Sequence, residues 1–242
     1  MNVHIIVPSC AAYSDAWIPF FTFLYRFWPG CPYPVTLVTD TVPPELRDYE
    51  PAKPTGLHVV GADKGWCKNF LYAIQAIKQQ PEFVLMLQED FWLSAPPDTT
   101  YIERALMIMR GDPTVACFRI YPCPGADKYI GWADHGEISL DAAYRVSCQA
   151  GIWRTSELVK ILERLDTPAD FEIKGTEFFR TERPAARFLS VNRTEDPNAW
   201  PFQYICTAIV RGQWLPGALE FAHSQGVPVD MSRRSVMRGP SV

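Results

Sequence analysis

A chain of 242 residues, 48% hydrophobic, 13% aromatic and 21% charged, excludes a disordered or coiled-coil protein and is long enough to bury one large core. Its 23 Lys and Arg against 27 Asp and Glu leave a net charge of −4, which offers a polyanion no long-range attraction and sets nucleic-acid binding aside. No apolar run approaches the roughly 20 residues that cross a bilayer, and residues 1–8 lack the basic start of a secretory signal, so a cytoplasmic protein with no transmembrane segment is expected.

The seven cysteines, Cys10, Cys31, Cys67, Cys117, Cys123, Cys148 and Cys206, are odd in number and contain no Cys-x-x-Cys pair, which reads as free thiols. The four histidines show no metal-ligand spacing.

In chain order, residues 3–7 form a β-branched run closed by Pro8, as in a strand buried on both faces. Residues 16–28 read as an aromatic helix capped by Asp15 and stopped by Pro29-Gly30. Strands are expected at 33–39, ending in Asp40, and at 57–60. Phe70, Ala73, Ile74 and Ile77 make one apolar face of a helix over 65–80, followed by a fully apolar strand at 83–87.

This alternation predicts an α/β fold, a mostly parallel mixed sheet flanked by helices in a single domain, with ligands outside the carboxyl ends of the strands. The later elements are a helix over 101–110, a strand at 115–121, antiparallel strands within 129–152, helices over 155–165 and 176–187, a strand at 204–210 and a helix over 216–225.

The strand at 83–87 ends abruptly in Gln88-Glu89-Asp90. Acids there cost desolvation unless something positive binds, although an isolated pair also reads as a turn into solvent. The preceding helix opens with Gly65-Trp66-Cys67-Lys68-Asn69, placing Lys68 and Asn69 near the same sheet edge to hold a nucleotide or its phosphates. Alternation puts Gln88 and Asp90 on one face and Glu89 on the other unless the chain has already turned.

With Val7-Pro8-Ser9 after the first strand, Thr39-Asp40 after the second, Gly65 to Asn69 at a helix start and an apolar strand closing in Gln88-Glu89-Asp90, the sequence resembles the nucleotide-sugar-dependent glycosyltransferases of the A-type, Rossmann-like fold. Gln149-Ala150-Gly151-Ile152-Trp153-Arg154 and Asp170-Phe171-Glu172 match that family's later turn and acid. The resemblance implies a nucleotide-diphosphate sugar donor, commonly UDP-linked, whose phosphates meet Mn2+ or Mg2+ at Asp90. Pro8, Ser9, Asp40, Lys68, Asn69, Gln88 and Glu89 would surround the donor, within a donor half at 1–95 and an acceptor half at 96–242.

For an inverting transfer to a glycan, glycolipid or small-molecule hydroxyl, Glu172 and then Asp170 are the expected bases, each with helix capping or surface exposure as the plain alternative. Trp92, Gln149 and Trp153 are the expected acceptor contacts, and Trp66 and Trp132 flank the site. Gln88 departs from the family, which expects an acid there, and removes a charge from the ion site. That departure leaves two options: Lys68 or the tail arginines Arg233, Arg234 and Arg238 offset the phosphates instead, or those arginines lie in a mobile solvated end. A nucleotidyltransferase would need a glycine-rich basic loop, which Pro8 to Tyr13 lacks. A non-catalytic nucleotide- or glycan-binding relative would fit the incomplete acid motif.

Overall fold

A computed structural model describes residues 2–44, 56–61, 63–130 and 133–238. The strands are β1 (Val3–Pro8), β2 (Val35–Thr39), β3 (Gly56–Val59), β4 (Phe83–Met86), β5 (Trp92–Leu93), β6 (Val115–Arg119), β7 (Lys128–Tyr129), β8 (His135–Glu137), β9 (Gly151–Arg154), β10 (Arg187–Val191), β11 (Tyr204–Ile205), β12 (Ile209–Val210) and β13 (Gln213–Trp214). The helices are α1 (Trp17–Phe27), α2 (Trp66–Ala76), α3 (Thr99–Gly111), α4 (Thr155–Leu162), α5 (Pro168–Thr181) and α6 (Pro216–Ser224).

Nine strands form the central sheet in the order β3-β2-β1-β4-β9-β6-β10-β8-β7. β3, β2, β1 and β4 run parallel, as do β6 and β10, while β9 lies antiparallel between β4 and β6. β1 is the switch point: the chain leaves it toward β2 on one side and returns to β4 on the other, opening a crevice beyond the carboxyl ends of β1 and β4.

The strands β1, β2 and β4 are buried on both faces because both faces of the sheet are covered there. Ile5, Val7, Phe83 and Leu85 point into a core shared with α1, α3 and α6. Ile6, Val84 and Met86 point the other way, into the core under α2, α4 and α5.

Several elements differ from the sequence expectation. A 3-10 turn at Ala11–Ala16 precedes α1, and Asp15 is no helix cap: its side chain is fully buried and paired with Arg234. The helix expected over 176–187 begins earlier, at Pro168, because Thr167 accepts a hydrogen bond from the Asp170 amide at 3.0 Å and proline suits the first turn. It also ends earlier, at Thr181; residues 182–186 turn, and β10 then begins at Arg187 and pairs parallel with β6. The strand expected at 204–210 divides into β11, which pairs with β5, and β12, which pairs with β13.

Candidate functional site

A cavity of about 510 Å3 opens at the switch point. Ser9, Cys10 and Tyr13 follow β1, Gln88 to Phe91 follow β4, and Asp63, Trp66 and Asn69 lie at the start of α2. Because β9 runs antiparallel, the segment before it reaches the same edge and adds Cys148 and Gln149. Cys206 and Thr207 close the far wall.

The Leu87 amide makes the last ladder bond, to Ile6 at 3.2 Å, after which the chain turns with Phe91 N donating to the Gln88 carbonyl at 3.1 Å. The turn cancels strand alternation, so Gln88, Glu89 and Asp90 all line one cavity. Glu89 is therefore as well placed as Asp90.

Both carboxyls are pushed above the usual carboxylate range, chiefly by burial. The Asp90 charge adds to the rise at Glu89, against which the Ser9 hydroxyl and the Arg234 charge work. Asp90 accepts a hydrogen bond from the Thr207 hydroxyl, and its carbonyl accepts from Ala208 N at 2.9 Å, latching the 206–208 segment onto the acid turn. Gln88 is 9% exposed and its side-chain Nε2 has no protein partner. A buried amide left this way costs about 1–3 kcal/mol until a ligand accepts from it.

Other walls are held by side chains the sequence did indicate. Ser9 Oγ accepts from Trp17 Nε1 at 2.8 Å. Asn69 donates to Asp63 at 2.9 Å and accepts from Lys64 N at 3.1 Å, fixing the loop before α2. Gln149 accepts from the Tyr204 hydroxyl, whose ring stacks on Phe91 at 4.6 Å.

The remaining expected residues lie elsewhere. Pro8 is buried in the ladder opposite Val38. Asp40 does not line the cavity; its carboxylate accepts from Ala11 N at 2.7 Å and pins the turn after β1. Lys68 points back at α4, bonding the Leu162 carbonyl at 3.4 Å and the Glu163 carbonyl, which satisfies that helix's end.

Trp92 is fully buried against Phe23 and Trp214, and Trp153 is 1% exposed among Phe171, Phe179 and Phe188, so both are core residues. Asp170 sits in the exposed first turn of α5, bonded to Thr167 and to Lys174 at 2.7 Å. Glu172 accepts from the Ser147 hydroxyl at 3.0 Å and Cys148 N at 2.9 Å, bracing the loop behind the cavity rather than facing into it. Trp132 lies outside the described residues.

Tyr13, Asp63 and Thr207 are cavity residues that sequence reading missed, since none sits in a periodic pattern or beside an acid motif. Residues 233–237 are held to the fold: Arg234 bonds Asp15 at 2.7 and 3.0 Å, and Met237 N donates to Trp214 at 2.8 Å.

No family model and no curated protein matches the sequence. Solved structures do match in fold. The chain is similar to residues 1–349 of S. aureus TarS, with 15% identity and a TM-score of 0.51, covering 80% of this chain and 59% of that one. A cytidylyltransferase from Leptospira borgpetersenii aligns at 13% identity and a TM-score of 0.52 over 86% of this chain and 82% of that one. A CMP:2-keto-3-deoxy-manno-octonic acid synthetase complexed with CTP aligns at 13% identity and a TM-score of 0.53 over 93% and 98%. The chain thus spans about 59% of the TarS fragment and nearly all of the synthetase, and it has the nucleotide-diphospho-sugar transferase fold that they share. No helix among the described residues is long and apolar enough to cross a membrane.

Proposed function

We propose that the protein is a glycosyltransferase that moves a sugar from a nucleotide-diphosphate donor, UDP-linked, to an acceptor hydroxyl. The observation that carries this reading is the Gln88-Glu89-Asp90 turn, which brings the buried Glu89, the half-buried Asp90 and an unpartnered amide into a cavity at the switch point of a nucleotide-diphospho-sugar transferase fold. Two carboxyls whose charged forms are disfavoured are what a site awaiting a positive charge contains.

No group of three or more His, Cys, Asp or Glu stands together among the described residues as a complete metal cage. Glu89 and Asp90 fit an ion of the Mg2+ or Mn2+ type, which takes one or two carboxylates and completes its shell with phosphate oxygens and water. Such an ion, when bound, stabilises the charge developing on the departing nucleotide. Gln88 donates its free amide hydrogens to a donor oxygen, and Trp66, on the cavity wall, offers a ring to the base or sugar.

The proton leaving the acceptor hydroxyl has to reach a carboxylate that lines the cavity. With Glu89 and Asp90 given to the ion, Asp63 is the lining carboxylate left for that role, whereas Glu172 and Asp170 do not line the cavity.

Nucleotidyl transfer, the chemistry named for two of the structural neighbours, is the less suitable reading. The turn after β1 carries neither glycine nor a basic side chain from Ser9 to Tyr13.

Thermal melting against nucleoside diphosphates and nucleotide-sugars, with and without Mn2+, tests the donor. A ligand at a hundredfold over its Kd stabilises by about 2.7 kcal/mol, or roughly 5–10 °C here. If no nucleoside diphosphate moves the melt under any metal condition, the donor assignment fails.

A further inference from the structure

The segment after β13 returns across the face of the molecule instead of trailing into solvent. Val236 bridges to Trp214 in parallel, Trp214 N donates to the Ser235 carbonyl at 3.0 Å and Met237 N donates to Trp214 at 2.8 Å, so residues 233–237 form a strap. The strap lands on the 3-10 turn at Ala11–Ala16.

There Arg233 donates to the Ser14 hydroxyl and to the Ala11 carbonyl at 3.3 Å. Arg234 forms a two-pronged bond to the fully buried Asp15, donates to the Ala12 carbonyl, and lies with its guanidinium 4.3 Å from the centre of the Tyr13 ring. A planar guanidinium held at two carboxylate oxygens has little freedom, so the ring stacked on it is fixed as well. The opposite side of this turn is the cavity, which Ser9, Cys10 and Tyr13 line.

We infer that the strap is the backing of one cavity wall, with Arg234 the positioning residue that holds Tyr13, and through it the turn that carries Ser9 and Cys10, in place to meet a ligand. The inference rests on the cavity being the binding site, not on which nucleotide occupies it. Charge points the same way. No Lys or Arg among the described residues lines the cavity, whereas Asp63, Glu89 and Asp90 do. Arg234, set behind Tyr13, is the cation whose field reaches Tyr13, Glu89 and Asp90.

Cys10 lets the wall be read without any nucleotide, so failure here and failure of the proposed donor remain distinguishable. Its thiol is partly buried in the cavity, while Cys67 and Cys117 are buried in the core. Iodoacetamide labelling of each cysteine, followed by mass spectrometry, is expected to be about tenfold faster at Cys10 in Arg234→Gln, with Cys67 and Cys117 unchanged, as local opening dictates. Loss of a nearby cation disfavours the thiolate, so charge alone gives the opposite sign.

Arg233→Gln leaves no buried acid unpaired and keeps the test decisive should Arg234→Gln not fold; about threefold faster labelling of Cys10 is expected there. Cys10 rates within twofold of the unmodified protein, or Cys67 and Cys117 accelerating in step with Cys10, would overturn the inference.

Discussion

Glu89→Gln is expected to stabilise the ligand-free protein while removing its ability to hold a donor. Glu89 is 7% exposed, and its carboxyl is held above the usual range by burial and by the neighbouring Asp90 charge. Each unit of such a rise is worth about 1.4 kcal/mol of stability lost when the group must ionise. Gln keeps the oxygen that accepts from Ser9 and removes a like charge from beside Asp90.

The gain depends on pH with a definite sign. Below the ordinary carboxylate range, folded and unfolded chains both carry the proton and the variant has no advantage. As pH rises through that range the unfolded chain releases its proton while folded Glu89 retains it, so the native protein loses stability with rising pH. The variant does not titrate at this position, and its advantage grows up to neutral pH, to about 1–3 kcal/mol, or roughly 2–10 °C in Tm. Melting curves of both proteins between about pH 4 and pH 8 measure it. A variant that melts at or below the native protein near neutral pH, with no growth of the difference, refutes the claim that this acid is buried against its own stability.

Trp153→Ala is expected to cost about 3–5 kcal/mol, read by chemical denaturation, whereas Trp153→Phe costs about 1 kcal/mol because it also removes an unpartnered buried N–H. An acceptor-contacting tryptophan would change KM and leave stability alone. Arg234→Met leaves the Asp15 carboxylate buried and unpaired, a loss of about 3–5 kcal/mol by denaturation. Adding Asp15→Asn recovers part of it. Lys68→Ala leaves any nucleotide-induced melting shift unchanged, since its ammonium serves the end of α4; the variant loses about 0.5–1 kcal/mol in stability.

The left half of the sheet was legible because its strands are short apolar runs closed by Pro8, Thr39-Asp40 and Gln88, and α2 has a clean apolar face. β10 was not. Its run Phe188-Leu189-Ser190-Val191 follows Arg187 and helix-forming residues, and only pairing with β6 decides its conformation.

At the site, strand ends were readable since topology dictates where they gather, hence Ser9, Asn69, Gln88 to Asp90 and Gln149. Trp153 packs in the core instead of lining the cavity, because closeness in sequence does not give the face. Its register opposite Val84 and Cys117 turns it toward α5. Asp170 and Glu172 fall outside the cavity lining because α5 starts before them, making one a first-turn acid and the other a brace for Ser147 and Cys148. Thr207 and Arg234 come from irregular segments whose return paths carry no periodic signal.

The backward course of β9 has an evolutionary corollary. Gly151 pairs with Met86 on one side and Arg119 on the other, and a side chain there would press on the Cys117 sulfur at 3.3 Å, so the sheet end of this connection is tightly packed. Residues 139–150 upstream hold no helix or strand and arrive directly at the cavity mouth. Only the first part of this segment, residues 139–144, is exposed or half-buried, whereas Arg145, Val146, Ser147 and Ala150 are buried and bonded, so insertions are tolerated at 139–144 alone. This is where a descendant of the protein would retune which molecules it admits while inheriting the rest unchanged.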